Sequence, residues 1–259
     1  MDSGMTARRV LLCVTVITAL AVTGCSGRQK AADTPTAAST TTSWAVPPPD
    51  SVPASSGPAG LTGWPGQDKI TEEAMVSALF TDAEIAKVFD TDVAKTNKRD
   101  KPFTATESDD TRCNVTQGLT VESVGTEYET FRATEILLGG DAKNPEVQVY
   151  QGIAAYTDQK AAQKKFEEAA GAIRGCDGKT YNFTDPGGRK VPVTVSVSPS
   201  NAKKVNWVLA YGLSKYRCFV SYNGVANVIV QTQICARSNS KQLVQKMADR
   251  IVDKLQLSG

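Results

Sequence analysis

The chain of 259 residues contains no histidine, and this absence excludes several kinds of site. A Ser-His-Asp triad, a Cys-His nucleophilic pair and a histidine-ligated metal all require an imidazole. The glycine-rich phosphate loops and the G-x-S-x-G and H-E-x-x-H motifs are absent too. Adjacent carboxylates occur at Asp109-Asp110 and Glu167-Glu168, but both pairs have the pattern of solvated surface. We therefore do not expect an enzyme.

A large charge of one sign and a membrane-spanning run are also missing. The formal net charge of +2 is too small to predict nucleic-acid binding. The apolar stretch Val10–Val22 contains threonines and is shorter than the ~20 residues that cross a bilayer. It follows Arg8 and Arg9, as the apolar part of a signal peptide follows its basic start. We expect export, and hence a compartment in which disulfides form.

A cysteine follows the predicted leader directly. The run Val22-Thr23-Gly24-Cys25 resembles a bacterial lipobox, which implies a signal peptide at 1–24 and acyl chains such as palmitate on Cys25. More than one buried acyl chain holds a protein at a membrane, at about 0.8 kcal/mol per buried CH₂ group. We expect a lipid anchor on the extracytoplasmic face of the cell membrane. The alternative is an ordinary signal peptide with a chance cysteine.

The composition changes after the leader. Residues 25–67 comprise Cys25 and a stretch rich in Thr, Pro, Ser and Ala. Such a stretch buries too little apolar surface to offset its ordering entropy, so we expect a flexible tether. The remaining residues, 68–259, have the length of one domain.

This domain is predicted to be α+β, because runs of alternating strands are flanked by amphipathic helices. The predicted strands are 128–138, 146–157, 191–197, 205–213 and a hairpin within 216–236. The predicted helices are 71–80, a short one after the capping-box spacing of Thr81 and Glu84, 158–174, and one from 238 or 240 onward. The charged stretch 97–112 is predicted to be a loop.

The hairpin has a cysteine near each outer end. A turn at Ala226-Asn227 places Cys218 opposite Cys235, in a non-hydrogen-bonded pair with Cα atoms about 4.5 Å apart. A disulfide can bridge that distance. Asn223-Gly224 is the stronger turn dipeptide, but it would leave Cys235 without its partner. We therefore favour the turn that pairs the cysteines.

Four cysteines follow the lipobox, and four allow three pairings. If Cys218 pairs with Cys235, the second disulfide joins Cys113 to Cys176. A metal site with four Cys ligands is the alternative, although no C-x₂-C spacing occurs and the compartment is oxidising. We expect no metal and no other cofactor.

The two faces of the hairpin differ. Phe219, Val225, Val228, Val230 and Ile234 share one face, which we assign to the core. The opposite face carries an aromatic ring and two amides instead of charge. We expect a ligand-binding cleft on that side, formed by Tyr211, Tyr216, Tyr222, Gln231 and Gln233. The alternative is that this face packs beneath a helix.

From about Leu79 to Leu255 the chain resembles the PknH-like sensor family, the extracytoplasmic sensor domain of a mycobacterial transmembrane Ser/Thr kinase. The resemblance rests on the helix start TDAEI, the run VYQGIAAYTDQKAAQKKFEEAAGAIRGC, Trp207, the closing helix and the order of the four cysteines. This chain departs from the family just before Cys176, where family members commonly carry a Trp and this sequence has Ile173-Arg174-Gly175. The resemblance implies one domain with a twisted antiparallel sheet, flanking helices, two disulfides and a large cleft for an unknown ligand.

Two functions are expected from these features. The first is a membrane-anchored sensor-type module that binds a small molecule or envelope component in the cleft. The second is a structural or protein-interaction lipoprotein that binds an envelope partner such as a kinase sensor domain. A deep cavity would favour the first, and a flat apolar patch the second. In both cases we expect a monomer.

Overall fold

The computed structural model describes residues 69–185, 187–212 and 214–257. The predicted signal peptide at 1–24, the lipidation site Cys25, the tether at 25–67 and the start of the domain at residue 68 lie outside these residues. So does Leu213, which was predicted to end a strand.

One antiparallel sheet of eight strands, in the order β1-β2-β3-β8-β7-β6-β5-β4, organises the described part of the chain. Its strands are β1 (Val93–Arg99), β2 (Thr130–Leu138), β3 (Val147–Ala155), β4 (Thr180–Thr184), β5 (Lys190–Val197), β6 (Lys204–Tyr211), β7 (Arg217–Val225) and β8 (Val228–Ala236). The helices are α1 (Glu72–Ala78), α2 (Asp82–Phe89), α3 (Val121–Val124), α4 (Gln159–Arg174) and α5 (Lys241–Leu257), with a 3₁₀ helix at Thr111–Gln117. The α+β prediction is confirmed.

Local capping explains where two helices begin. Thr81 accepts a hydrogen bond from the backbone N–H of Glu84, and the Glu84 carboxylate accepts one from the backbone N–H of Thr81. This reciprocal pair satisfies two donors that the first turn of α2 leaves unpaired. Asp158 caps α4 by accepting from the backbone N–H of Ala161 at 2.8 Å. The helix starts predicted near these residues are confirmed.

The central hairpin turns at Ala226-Asn227, as predicted from the cysteines. Val225 pairs with Val228, and Cys218 pairs with Cys235 at a Cα–Cα distance of 3.9 Å. The rival turn at Asn223-Gly224 is wrong, because both residues lie within β7. The tight turn is possible because Ala226 takes a left-handed conformation, with φ of 46°.

Helices cover both faces of the sheet. Phe219, Val230 and Ile234 pack beneath α1 and α5 in one core. On the other face Tyr222 and Val220 share a second core with α4. The sequence analysis assigned the core to the first face alone, and this was incomplete. The alternating pattern gave no sign of the second core, because its buried face contains amides and an aromatic hydroxyl.

Two edge strands were not predicted. β1 ends at Arg99 and so includes the first three residues of the stretch 97–112 that was predicted to be a loop. β4 lies between the predicted helix 158–174 and the predicted strand 191–197. β1 is charged and largely exposed, as edge strands often are because charge discourages pairing with other chains. Such a strand lacks the apolar alternation that identifies a half-buried strand in a sequence.

Candidate ligand cavity at the cysteine end of the hairpin

A cavity of about 390 Å³ lies on the α4 face of the sheet, at the end where Cys218 and Cys235 are joined. Its floor is formed by neighbouring strands in register. Gln148 of β3 pairs with Cys235, Cys235 with Cys218, and Cys218 with Leu209 of β6. The floor therefore has the hairpin disulfide at its centre.

The segment 103–120 forms the wall of this cavity. The backbone N–H of Phe103 donates to the carbonyl of Leu119 at 2.8 Å. The side-chain amide of Gln117 accepts from the backbone N–H of Thr106 at 2.7 Å and donates to its carbonyl at 2.9 Å. These bonds close the segment on itself. Its backbone also bonds to β4, where Thr184 donates to the carbonyl of Glu107 at 2.8 Å and Asp109 donates to that of Asn182 at 3.0 Å.

Buried contacts also attach the wall to the rest of the domain. A disulfide joins Cys113 in the 3₁₀ helix to Cys176 after α4, as predicted. The indole N–H of Trp207 donates to the carbonyl of Thr116 at 2.9 Å. The Thr116 hydroxyl also lies 3.0 Å from that of Tyr181 on β4. A covalent bond and buried hydrogen bonds thus fix the wall relative to the floor.

Tyr211 and Tyr216 both line the cavity, as the sequence analysis predicted. Their ring centroids lie 6.1 Å apart, and the Tyr211 hydroxyl lies 3.4 Å from Sγ of Cys218. Burial raises the pKa of Tyr211, and it raises the pKa of Tyr216 to about 12. Both hydroxyls are therefore neutral hydrogen-bonding groups near neutral pH.

Gln233 also lines the cavity, with its amide nitrogen 3.1 Å from Sγ of Cys235. Gln231 on the same strand is 1% exposed and lies behind the wall, where neither atom of its amide has a hydrogen-bond partner within the described residues. Its amide nitrogen would stand 3.6 Å from a Cβ on Gly118, which itself lines the cavity.

Tyr222 does not line the cavity, contrary to its predicted place in the ligand-binding cleft. Its ring stacks on Phe166 of α4, with centroids 5.1 Å apart. Its hydroxyl donates to the carbonyl of Ser123 at 2.8 Å. Tyr222 is therefore a packed core residue, which matches the alternative that this face lies beneath a helix. α4 covers the turn end of the hairpin and leaves the cysteine end open.

Sequence reasoning missed the aromatic residues that complete the lining. Phe103 meets Tyr150 edge to face at 5.6 Å, and Phe183 meets Tyr211 in the same way at 5.7 Å. Tyr150 and Gln148 lie on the same face of β3, so their period-two spacing could have identified them. No signal in the sequence marked Phe103, because it stands in a charged stretch.

The model of the PknH-like extracellular domain family matches residues 70–254. The chain belongs to this family. Its members are described as extracellular domains, so the domain acts outside the cell. A search of curated proteins found no match.

The fold agrees with that of a solved relative of the PknH-like family. The crystal structure of the extracellular domain of PknH from Mycobacterium tuberculosis superposes with a TM-score of 0.65 at 20% sequence identity. The alignment covers 72% of this chain and 97% of that one. Since identity is this low, the likeness establishes the fold alone.

Within residues 69–185, 187–212 and 214–257, no helix is long and apolar enough to cross a membrane. No group of three or more His, Cys, Asp or Glu side chains in them is placed to hold a metal ion.

Proposed function

We propose that this PknH-like domain is a sensor-type binding module that takes a small molecule or envelope component into the cavity at the cysteine end of the hairpin. The observation that carries the proposal is the cavity itself, which combines aromatic walls with a few amides and hydroxyls. Small-molecule sites are typically concave, mostly apolar and supplied with few polar groups.

The fixed wall supports this proposal. Its attachment by the Cys113–Cys176 disulfide and by the Trp207 and Thr116 hydrogen bonds holds the lining in place before any ligand arrives. A preformed site loses less conformational entropy on binding, so more of its contact energy becomes affinity.

The proposed role is binding without catalysis. The lining contains hydroxyls, amides and aromatic rings, and none of its members is Asp, Glu, Lys or Arg. Burial raises the pKa of Tyr150 and Tyr211, so these groups stay protonated near neutral pH. A general base needs a pKa near the working pH, and this lining supplies none.

The exposed surface favours the cavity over a protein-interaction patch. On the described part of the chain the exposed large apolar side chains are Val76, Val88, Val121 and Leu257. They belong to four different helices, α1, α2, α3 and α5. Scattered apolar side chains are normal on a monomer, whereas a docking site presents a contiguous patch.

Substitutions in the lining test the cavity. We expect the full chain, purified in detergent from its own membranes, to carry a bound small molecule that is visible by native mass spectrometry. Tyr216→Ala and Gln233→Leu should each reduce the bound fraction at least tenfold, because both side chains line the cavity. Tyr128→Ala is the matched control, since Tyr128 packs on the same core away from the cavity. Equal occupancy in all three variants would contradict the proposal.

The membrane anchor is a separate part of the proposal. Lipidation at Cys25 should keep the protein in the membrane fraction, because acyl chains supply most of the affinity for the bilayer. We expect Cys25→Ser to stop acylation, which intact mass will report, and to remove the mature protein from that fraction. Cys13→Ser, within the leader, is the control and should leave both unchanged. Continued acylation of the Cys25→Ser protein would show that the anchor lies elsewhere.

A further inference from the structure

We propose that the ligand of this cavity is an uncharged saccharide of one or two rings. The inference rests on the proposed function, because it names the ligand class of the same cavity. Three features carry it: the lining has no charged side chain, aromatic rings stand on two of its sides, and amides line it. Beside the lining residue Gly118, the buried amide of Gln231 has no hydrogen-bond partner within the described residues.

The lack of charge among the lining residues argues against ionic ligands. No Asp, Glu, Lys or Arg is among the lining residues. The nearby cation Arg99 is engaged outside the lining, with its guanidinium 4.3 Å from the ring centroid of Phe103. Glu135, which pairs with Tyr150 across β2 and β3, accepts a hydrogen bond from Asn97 at 2.9 Å and also interacts with the Tyr150 hydroxyl. Both charges are thus already held by protein groups, and a charged ligand would lose its hydration here without gaining a free counter-charge.

The aromatic rings suit the apolar face of a sugar. Phe103 and Tyr150 stand on the β3 side of the cavity, while Phe183 and Tyr211 stand on the β4 to β6 side. The negative face of an aromatic ring attracts polarised hydrogens, and a pyranose presents several such C–H groups on one face. The cavity volume of about 390 Å³ is near the lower end for small-molecule sites, roughly 300–1,000 Å³, which fits one or two rings.

The amides suit the hydroxyl groups of a sugar. Gln117, Gln148 and Gln233 line the cavity from three directions: the wall, β3 and β8. Each side-chain amide both donates and accepts, so one such group can serve a sugar hydroxyl in either direction. These amides already have protein partners: Gln117 bonds to Thr106, Gln148 accepts from the Tyr150 hydroxyl at 3.2 Å, and the amide nitrogen of Gln233 lies 3.1 Å from Sγ of Cys235. Their remaining donor and acceptor positions suit hydroxyl groups and argue against a lipid chain as the occupant.

Gln231 extends the amide set below the cavity surface. It is 1% exposed, and both of its amide atoms lack a hydrogen-bond partner in the part of the chain that the structure describes. A Cβ on Gly118 would stand 2.8 Å from Oε1 of Gln233 and 3.6 Å from Nε2 of Gln231. Gly118 has no side chain that could fill the space beside these two amides. Buried amides are normally paired, so this group indicates a polar ligand atom at that position.

The first experiment identifies the occupant. We would purify the full chain in detergent from the membranes of the bacterium that makes it, and identify any bound molecule by native mass spectrometry. Calorimetric titrations would then use methyl glucoside, maltose and cellobiose as neutral probes, with methyl glucuronide and glucosamine as matched charged probes. We expect a neutral saccharide as the bound molecule, and at least tenfold weaker binding of the charged probes.

A second experiment tests the role of Gln231. We expect Gln231→Leu to weaken saccharide binding at least tenfold while raising the melting temperature, because it removes a buried amide that has no protein partner. Gln163→Leu on α4, away from the cavity, is the control and should change neither. If Gln231→Leu fails to fold, Gln233→Leu on β8 at the cavity replaces it with the same expected loss of binding.

The outcomes separate this inference from the proposed function. A bound ion, lipid chain or peptide would overturn the saccharide assignment and leave the binding module standing. An empty wild-type protein that binds no probe would remove both. Saccharide binding that is unchanged by substitution of Gln231 and Gln233 would place the sugar elsewhere and overturn the inference.

Discussion

Two buried amides act as clamps on the N-terminal segment. The Asn227 side chain accepts from the backbone N–H of Ile70 at 2.7 Å and donates to the carbonyl of Tyr156 at 2.8 Å. Gln151 accepts from the backbone N–H of Phe80 at 2.8 Å and donates to its carbonyl at 2.7 Å. Single polar side chains therefore satisfy backbone groups that lie outside any strand, which is what burial of that segment requires.

The clamp at the hairpin turn is expected to matter for stability. Asn227→Ala should lower the free energy of unfolding by about 2 kcal/mol or more, because it leaves a buried donor and a buried acceptor unpaired. Asn144→Ala, in an exposed loop, is the control and should stay within about 0.5 kcal/mol of wild type. Urea unfolding measures both, and equal values for the two variants would show that the clamp contributes nothing.

At the scale of elements, the two disulfides close loops of very different length and connect different parts of the domain. The Cys218–Cys235 bond spans 17 positions within a hairpin that already has nine residue pairs in register. The Cys113–Cys176 bond spans 63 positions and joins the cavity wall to the end of α4. Cross-linking a longer loop removes more entropy from the unfolded chain.

Removing each disulfide should therefore have a different effect. In the chain-entropy model the Cys113→Ala/Cys176→Ala variant loses roughly 4 kcal/mol, and the Cys218→Ala/Cys235→Ala variant about 3 kcal/mol. Urea unfolding would rank them. Hydrogen exchange should also rise in residues 103–120 for the first variant, while the ladder between β7 and β8 stays protected in the second. Unchanged exchange in 103–120 would show that the wall does not depend on its disulfide.

At the scale of the whole molecule, uneven cover of the sheet creates the candidate site. α1 and α5 pack on one face, and α4 packs on the other near Tyr222. The 3₁₀ helix and the segment before it stand over the remaining part of the α4 face. The cavity is the space between that wall and the cysteine end of β7 and β8.

The stability of the domain should be flat near neutral pH, since the chain has no histidine to titrate there. Burial raises the pKa of Tyr150, Tyr156 and Tyr222 in the folded state, whereas the unfolded tyrosines ionise at about 10. The unfolded state then loses protons first, so stability is kept below pH ~10 and falls as the pH rises further.

At acid pH the stability of the domain is expected to fall as the pH decreases. A backbone hydrogen bond from Thr81 lowers the pKa of Glu84, and hydrogen bonds from Asn182 lower that of Asp109. Their stabilising effect is present above the unfolded pKa of about 4 and is lost as the pH falls through the lower folded value. Urea unfolding across the pH range should show a plateau from about 5 to about 9. A step near pH ~6.5 would contradict this prediction.

The sequence by itself determined the features that depend on neighbouring residues. The capping box of Thr81 and Glu84 and the helix after Asp158 follow from spacing over a few positions. The hairpin turn follows from its two cysteines, because residues equidistant from a two-residue turn face each other and the turn at Ala226-Asn227 places Cys218 opposite Cys235. That pairing leaves Cys113 for Cys176, and the structure confirms the bond.

Only the tertiary structure decided what lines the cavity. Phe103, Tyr150 and Phe183 come from the wall, β3 and β4, and the sheet order brings these distant segments together. The same hairpin face holds Tyr222 beneath α4 and leaves Tyr216 and Gln233 at the cavity. The alternation of side chains along a strand specifies the face of the sheet on which each side chain lies. It does not specify what covers that face, because the cover is made by residues far away in the chain.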